Sequence, residues 1–131
     1  MLVAERSHEF RLSVPAEPLS LGIVRRAVQG LEDSCGEEVT GRLAVIYSEL
    51  VTNAIRHSGI RPTDRLEITI EVAGQRVHGA VTDAGRGFDP DKVEPKPPEE
   101  GGFGLRIVDG MATRWGVNRN ELGRTEVWFD L

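Results

Sequence analysis

Apolar and polar positions alternate through residues 8–14, with Phe10, Leu12 and Val14 on one side and Glu9, Arg11 and Ser13 on the other. A period of two marks a half-buried strand, and Pro15 ends it. The period then changes. Leu19, Ile23, Val24, Ala27, Val28 and Leu31 recur at spacings of three and four, which predicts a helix from Leu19 to Cys35, stopped near Gly36. A longer helix starts at Glu37 or Glu38 and runs to about His57, ending at Ser58-Gly59. Alternation returns in Arg65–Ala73, with Leu66, Ile68, Ile70 and Val72 inward, and Gly74-Gln75 makes a hairpin turn. Arg76–Asp83 is the partner strand, with Val77 and Val81 apolar. Residues 84–102 carry no period. They hold Gly85, Gly87, Gly101 and Gly102 together with Pro90, Pro95, Pro97 and Pro98, and a loop of this length inside a compact domain is usually functional or disordered. A short helix from about Gly104 to Thr113 precedes two strands, near Arg114–Asn118 and Arg124–Asp130, joined through residues 120–123.

Strands joined by tight turns pair antiparallel, and the helices must cover one face of the sheet they form. The order predicts an α+β two-layer sandwich rather than a doubly wound sheet. With 131 residues, the chain is expected to be one domain spanning residues 1–131. Hydrophobic residues make up 39% and charged residues 28%, which argues against wholesale disorder. The net charge of −5 repels phosphate backbones, and the cations are scattered, so no direct nucleic-acid partner is expected. The single Cys35 cannot form an internal disulfide, and no Cys/His set has zinc spacing. The sequence has no 18-residue apolar run and no signal-peptide pattern, so a soluble, cytoplasmic protein with no membrane partner is expected.

Three stretches carry candidate chemistry. On the long helix, Leu43, Ala44, Ile46, Tyr47, Leu50, Val51, Ala54 and Ile55 fill one wide arc. Glu49 and Asn53 lie together just off it, four residues apart. His57 continues that row, and Arg56 sits beside Asn53 on the polar side. A solvated i,i+4 pair has the same spacing, but Asn is a mediocre helix former, and its place in mid-helix points to a demand of the site. The strand Arg76–Asp83 ends in Asp83-Ala84-Gly85-Arg86-Gly87. A carboxylate followed by spaced glycines lets a flat ligand approach the backbone, although the same pattern describes many turns. Gly101-Gly102-Phe103-Gly104-Leu105 lies just before a helix, where free N–H groups and the helix dipole favour an anion; a flexible hinge before a helix start reads the same way. Neither the P-loop pattern nor the dinucleotide fingerprint is present.

Together these stretches are specific in order and spacing. Glu49-x-x-x-Asn53-Ala54-x-x-His57, then Asp83-x-Gly85-x-Gly87, then Gly102-x-Gly104-Leu105 resembles the GHKL ATPase/kinase superfamily with its N, G1 and G2 boxes. The short length is similar to that of its anti-sigma-factor serine kinases, and Gly123-Arg124-Thr125-Glu126-Val127 is similar to the family's last strand. The resemblance implies the Bergerat fold, a mixed, mostly antiparallel sheet covered on one face by three helices, with an ATP lid at about residues 88–101. It implies ATP and Mg²⁺ as cofactors. Asn53 would be the metal ligand and Glu49 the general base toward a serine hydroxyl. Asp83 would bind the adenine amino group, with Thr125 assisting. Gly85 and Gly87 would pack on the purine. Gly102, Phe103, Gly104 and Leu105 would cradle phosphates, and Arg56 would help neutralise them, with His57 at the edge of the same site. The implied partners are a sigma factor and an anti-anti-sigma antagonist protein that is phosphorylated, with a homodimer formed through the first strand and helix. Two alternatives stay open: an ATP-binding partner-switching module with negligible kinase activity, and a detached histidine-kinase catalytic domain.

Overall fold

A computed structural model describes residues 7–57, 64–83, 103–119 and 124–131. The elements are β1 (Ser7–Pro15), α1 (Ser20–Gln29), α2 (Glu32–Cys35), α3 (Glu37–His57), β2 (Arg65–Ala73), β3 (Arg76–Asp83), α4 (Phe103–Met111), β4 (Arg114–Arg119) and β5 (Thr125–Asp130). The five strands form one sheet in the order β1-β2-β3-β5-β4. All four ladders are antiparallel, so the sheet lacks the parallel component expected of a mixed one. The reason is the path of the chain: β5 returns along β3 only after α4 and β4, and each neighbour therefore runs opposite.

The ladder register sorts side chains onto two faces. Val14, Leu66, Asp83 and Thr125 form one row across the sheet, and Leu12, Ile68, Val81 and Val127 form the next. Leu66, Ile68, Ile70, Val72, Val77, Val81 and Phe129 on this face are buried, as period two requires when one face meets a helical layer. From α3, Leu43, Ile46, Tyr47, Leu50 and Val51 are buried against them, and Ala44, Ala54 and Ile55 pack at the margin. The wide apolar arc of the sequence is thus the face α3 turns to the sheet.

The helix expected from Leu19 to Cys35 is two segments. Its buried stripe is Ser20, Val24 and Val28, one residue per turn, and the next apolar residue is Leu31. Leu31 leaves helical geometry at φ −91°, ψ 0°, and its N–H closes a tighter turn on the Val28 carbonyl at 2.9 Å. Leu31 is buried at this break. The chain then reverses at Gly36, whose φ of +84° suits a residue without a Cβ. This short link sends α3 back alongside α1, where Arg25 Nε donates to Ser48 Oγ at 3.2 Å.

The opposite face of the sheet is polar and is tied together by charge. Arg11 pairs with Glu9 at 3.0 Å and with Glu67 at 3.5 Å. Asp130 accepts from His78 Nδ1 at 2.5 Å and from Arg114 at 2.9 Å, linking β3, β5 and β4. Trp128 lies on this face, stacked against His78 and crossing Gly116. The hydrogen bond from His78 and the Arg114 guanidinium hold the Asp130 carboxyl below the usual carboxylate range, against a smaller opposing effect of burial.

A lowered carboxylate stabilises the fold above its unfolded pKa of ~3.9 and loses that effect as pH falls through its folded value. Asp130→Asn is therefore expected to lower the melting temperature at neutral pH. Melting curves recorded down an acid series should show the gap to wild type closing below the usual carboxylate range. Gly79 gives a second test. A Cβ there would sit closer than 3.0 Å to the Tyr47 hydroxyl and to the Phe129 ring. Gly79→Ala should cost about 1–3 kcal/mol of stability in urea unfolding, the usual range for overpacking a core.

Candidate functional site

The path of the chain brings several element ends to one end of the sheet. Pro15 closes β1 opposite Arg65, the first residue of β2. Asp83, the last residue of β3, lies opposite Leu66 and Thr125. The Ala16 N–H bonds to the Asp64 carbonyl at 2.9 Å, and Ser20 Oγ donates to the Pro15 carbonyl at 2.7 Å, so α1 starts at this same end. Since α1 leaves it and α3 runs back beside α1, the last turns of α3 return to it. A connection of seven residues then joins His57 to Arg65.

Asp83 and Thr125 are the two predicted site residues that the sheet register brings face to face. They are 3% and 4% exposed. A carboxylate withdrawn this far from water needs hydrogen-bond donors. Its neighbours across the ladder are Leu66, which offers none from its side chain, and Thr125, whose hydroxyl offers one. A flat ligand with an amino group at this edge would meet a carboxylate, a hydroxyl and an apolar floor.

The placement of Glu49 and Asn53 follows from the 100° per residue of an α-helix. Tyr47 points to the sheet, where its hydroxyl bonds Thr69. Ser48 points to α1. Glu49 and Asn53 fall on the remaining flank, and both are half-buried; α4 packs against α3, and α1 already occupies the Ser48 side. Arg56 is exposed, and His57 closes α3 with its side chain outside the described part of the molecule. The carboxylate and the amide thus share one flank of α3, as their four-residue spacing requires.

Phe103, Gly104 and Leu105 form the first turn of α4, and their side chains also lie outside the described part. The other end of α4 is bolted down. Trp115 Nε1 donates to Asp109 Oδ1 at 2.9 Å, and the Thr113 N–H donates to the Asp130 carbonyl at 2.7 Å. Asp130 is at the opposite end of β5 from Thr125. The helix is therefore anchored away from the Asp83–Thr125 row and leaves its N-terminal N–H groups at its other end. Gly85, Gly87, Gly102 and the lid of residues 88–101 lie outside the described residues.

Two features escape the pattern reading of the sequence. One is a shallow groove on the uncovered face, lined by His78, Arg114, Asn118, Glu126, Trp128 and Asp130. It lies on the other side of the sheet from Asp83, and three of its polar side chains, His78, Arg114 and Asp130, are already bonded together. The other is the contact of Tyr47 with the strand backbone. Among the described residues, no cluster of three or more His, Cys, Asp or Glu side chains could hold a metal ion, and no helix is long and apolar enough to cross a membrane.

Known proteins bear on this arrangement. The sequence profile of the histidine kinase-like ATPase domain matches residues 14–130. The chain is 28% identical over 127 residues to the serine-protein kinase RsbW of Bacillus velezensis, an alignment covering 85% of this chain and 78% of that one. It is 28% identical over 117 residues to the serine-protein kinase RsbW of Bacillus subtilis, covering 78% and 72%. A crystal structure of the RsbU and RsbW domains of Rv1364c from Mycobacterium tuberculosis superposes with a TM-score of 0.69 at 16% identity, over 94% of this chain and 32% of that one. At that identity the likeness speaks for the fold, and this chain spans about a third of that longer protein. The match runs from the end of β1 to the end of β5 and takes in Glu49, Asn53, Asp83 and Thr125: the chain belongs to the histidine kinase-like ATPase domain family.

Proposed function

We propose that the chain is an ATP-binding serine-protein kinase that acts as a regulatory switch, holding a sigma factor and phosphorylating a serine of the antagonist protein that competes for it. The observation that carries this reading is the buried Asp83 facing Thr125 at the sheet end to which α3 returns.

The donor set fits the nucleotide. Asp83 accepts from the adenine amino group, and the Thr125 hydroxyl completes the pocket edge. The N–H groups of the first turn of α4, Phe103-Gly104-Leu105, together with those of Gly102, hold phosphate oxygens. Arg56 adds a cation, and His57 borders the same flank. Gly85 and Gly87 would let the purine pack against the backbone, and residues 88–101 would be the ATP lid. Mg²⁺ takes hard oxygen ligands and keeps its octahedral shell largely through phosphates and water. One amide oxygen, from Asn53, suits that role, and no protein cage of carboxylates is required. When bound, the magnesium nucleotide supplies the phosphoryl group and neutralises its charge. Glu49 holds the incoming serine hydroxyl and takes its proton.

Support for serine as acceptor comes from the two serine-protein kinases to which the chain is similar. The cellular compartment proposed is the cytoplasm, where the polar outer face and net charge of −5 suit a freely diffusing regulator. Homodimer formation through β1 and α1 is part of the proposal: β1 is an edge strand carrying the exposed Phe10, and Leu19, just before α1, and Ile23 within it are exposed as well, a combination that invites pairing.

Removing the charge from Asp83 tests the pocket. A hydrogen bond to a charged group contributes ~1.5–3 kcal/mol, so Asp83→Asn should weaken ATP binding about 10- to 150-fold in calorimetry. Unchanged affinity would place the nucleotide elsewhere. Glu49→Ala tests the chemistry. Phosphoserine formation on an antagonist protein should fall about 100-fold or more while ATP affinity stays near wild type. Equal transfer by both proteins would remove Glu49 from the reaction. Tight ATP binding with no transfer by wild type would instead favour the partner-switching module, and an acid-labile product would point to a histidine acceptor.

A further inference from the structure

Tyr47 is fully buried on α3, two residues before Glu49 and six before Asn53. Its ring meets Phe129 of β5 edge-on, with centroids 5.2 Å apart and planes at 73°. Its hydroxyl goes further. It donates to the Thr69 carbonyl at 2.5 Å. Thr69 lies opposite Ala80 in the middle of the β2–β3 ladder, so the helix is bonded to the strand backbone well inside the sheet. The hydroxyl reaches it through a gap left by Gly79, where any Cβ would collide with the hydroxyl and with Phe129. Burial pushes the hydroxyl pKa far above its ordinary value, which keeps it a donor.

We propose that Tyr47 is a positioning residue: its hydroxyl, bonded to the Thr69 carbonyl where Gly79 leaves room, fixes the height and rotation of α3 on the sheet and so the places of Glu49 and Asn53 relative to Asp83 and Thr125. The inference rests on the kinase reading above. Hydrophobic burial has no direction, so the arc of Leu43, Ile46, Leu50 and Val51 specifies which face of α3 meets the sheet more than the exact height of the helix on it. A hydrogen bond of defined length and angle to a fixed rung specifies that height. The base and the metal ligand ride on α3, whereas Asp83 and Thr125 belong to the sheet. A helix shift therefore alters the first pair against the second. Misplacing reacting groups by ~1 Å can cost about 100-fold in rate.

Tyr47→Phe removes the oxygen and keeps the ring. Three quantities are compared with wild type: the melting curve, ATP affinity with and without Mg²⁺, and kcat and KM for transfer to an antagonist protein. The variant should fold. Metal-free ATP affinity, carried mainly by the sheet residues and the first turn of α4, should change less than the affinity gained on adding Mg²⁺, which should shrink, and kcat should fall about tenfold or more. Gly79→Ala, which displaces the hydroxyl instead of deleting it, should move the same two quantities in the same direction. A lower melting temperature with an unchanged Mg²⁺ response and unchanged kcat overturns the inference and makes the hydrogen bond structural only. So does a Tyr47→Phe protein that fails to fold, since the hydroxyl would then be a requirement of folding. Wild type that shows no ATP binding removes the kinase reading itself and this inference with it, an outcome distinguishable because it appears before any substitution is made.

Discussion

A layer of helices has to be held against a sheet that is covered on one face only, and α3 bears most of that contact. Its 21 residues present one apolar arc to the inward rows of β2, β3 and β5. At Gly79 the absence of a side chain lets Tyr47 cross the layer and bond the strand backbone. A methyl group there would force Tyr47 or Phe129 to shift. The polar pair on α3 and the buried pair on the strands come from distant parts of the chain. The packing of α3 on the sheet relates them.

The same constraint divides labour between the two faces of the sheet. The covered face carries the core and, at one end, Asp83 and Thr125. The open face carries ion pairs and the Asp130 bridge to His78 and Arg114, which links three strands without a second helical layer. Exposed ion pairs contribute little individually, but the bridge fixes the far end of β5, and Thr113 and Trp115 hang α4 from that end. Anchoring α4 by its C-terminus puts its N-terminal turn at the end away from that anchor.

Much of this was legible in the sequence because it is periodic. The strand alternation placed Leu66, Ile68, Ile70 and Val72 inward, and the arc on the long helix named the residues that pack on them. The spacing of Glu49 and Asn53 put both on one flank. The break at Gly30-Leu31 was not legible, because Leu31 continues the apolar period even though the chain leaves the helix to bury it. The pairing of Asp83 with Thr125 needed the resemblance to a known family, since register between strands separated by about forty residues is set by packing and not by local pattern. Tyr47 looked like one more member of the apolar arc. A glycine within a strand pattern signals a close approach of another group, and Gly79 was that signal, but nothing local says which side chain fills the gap.

The central claim is that a nucleotide is bound where the end of β3, the start of β5 and the last turns of α3 meet. Amide hydrogen exchange of the whole chain, with and without magnesium ATP, tests it most directly. Added protection is expected at the C-terminal turns of α3, the first turn of α4 and the amides around Asp83 and Thr125, with the strand ends near His78 and Asp130 unchanged. Protection centred instead on the Trp128 groove of the open face would contradict it.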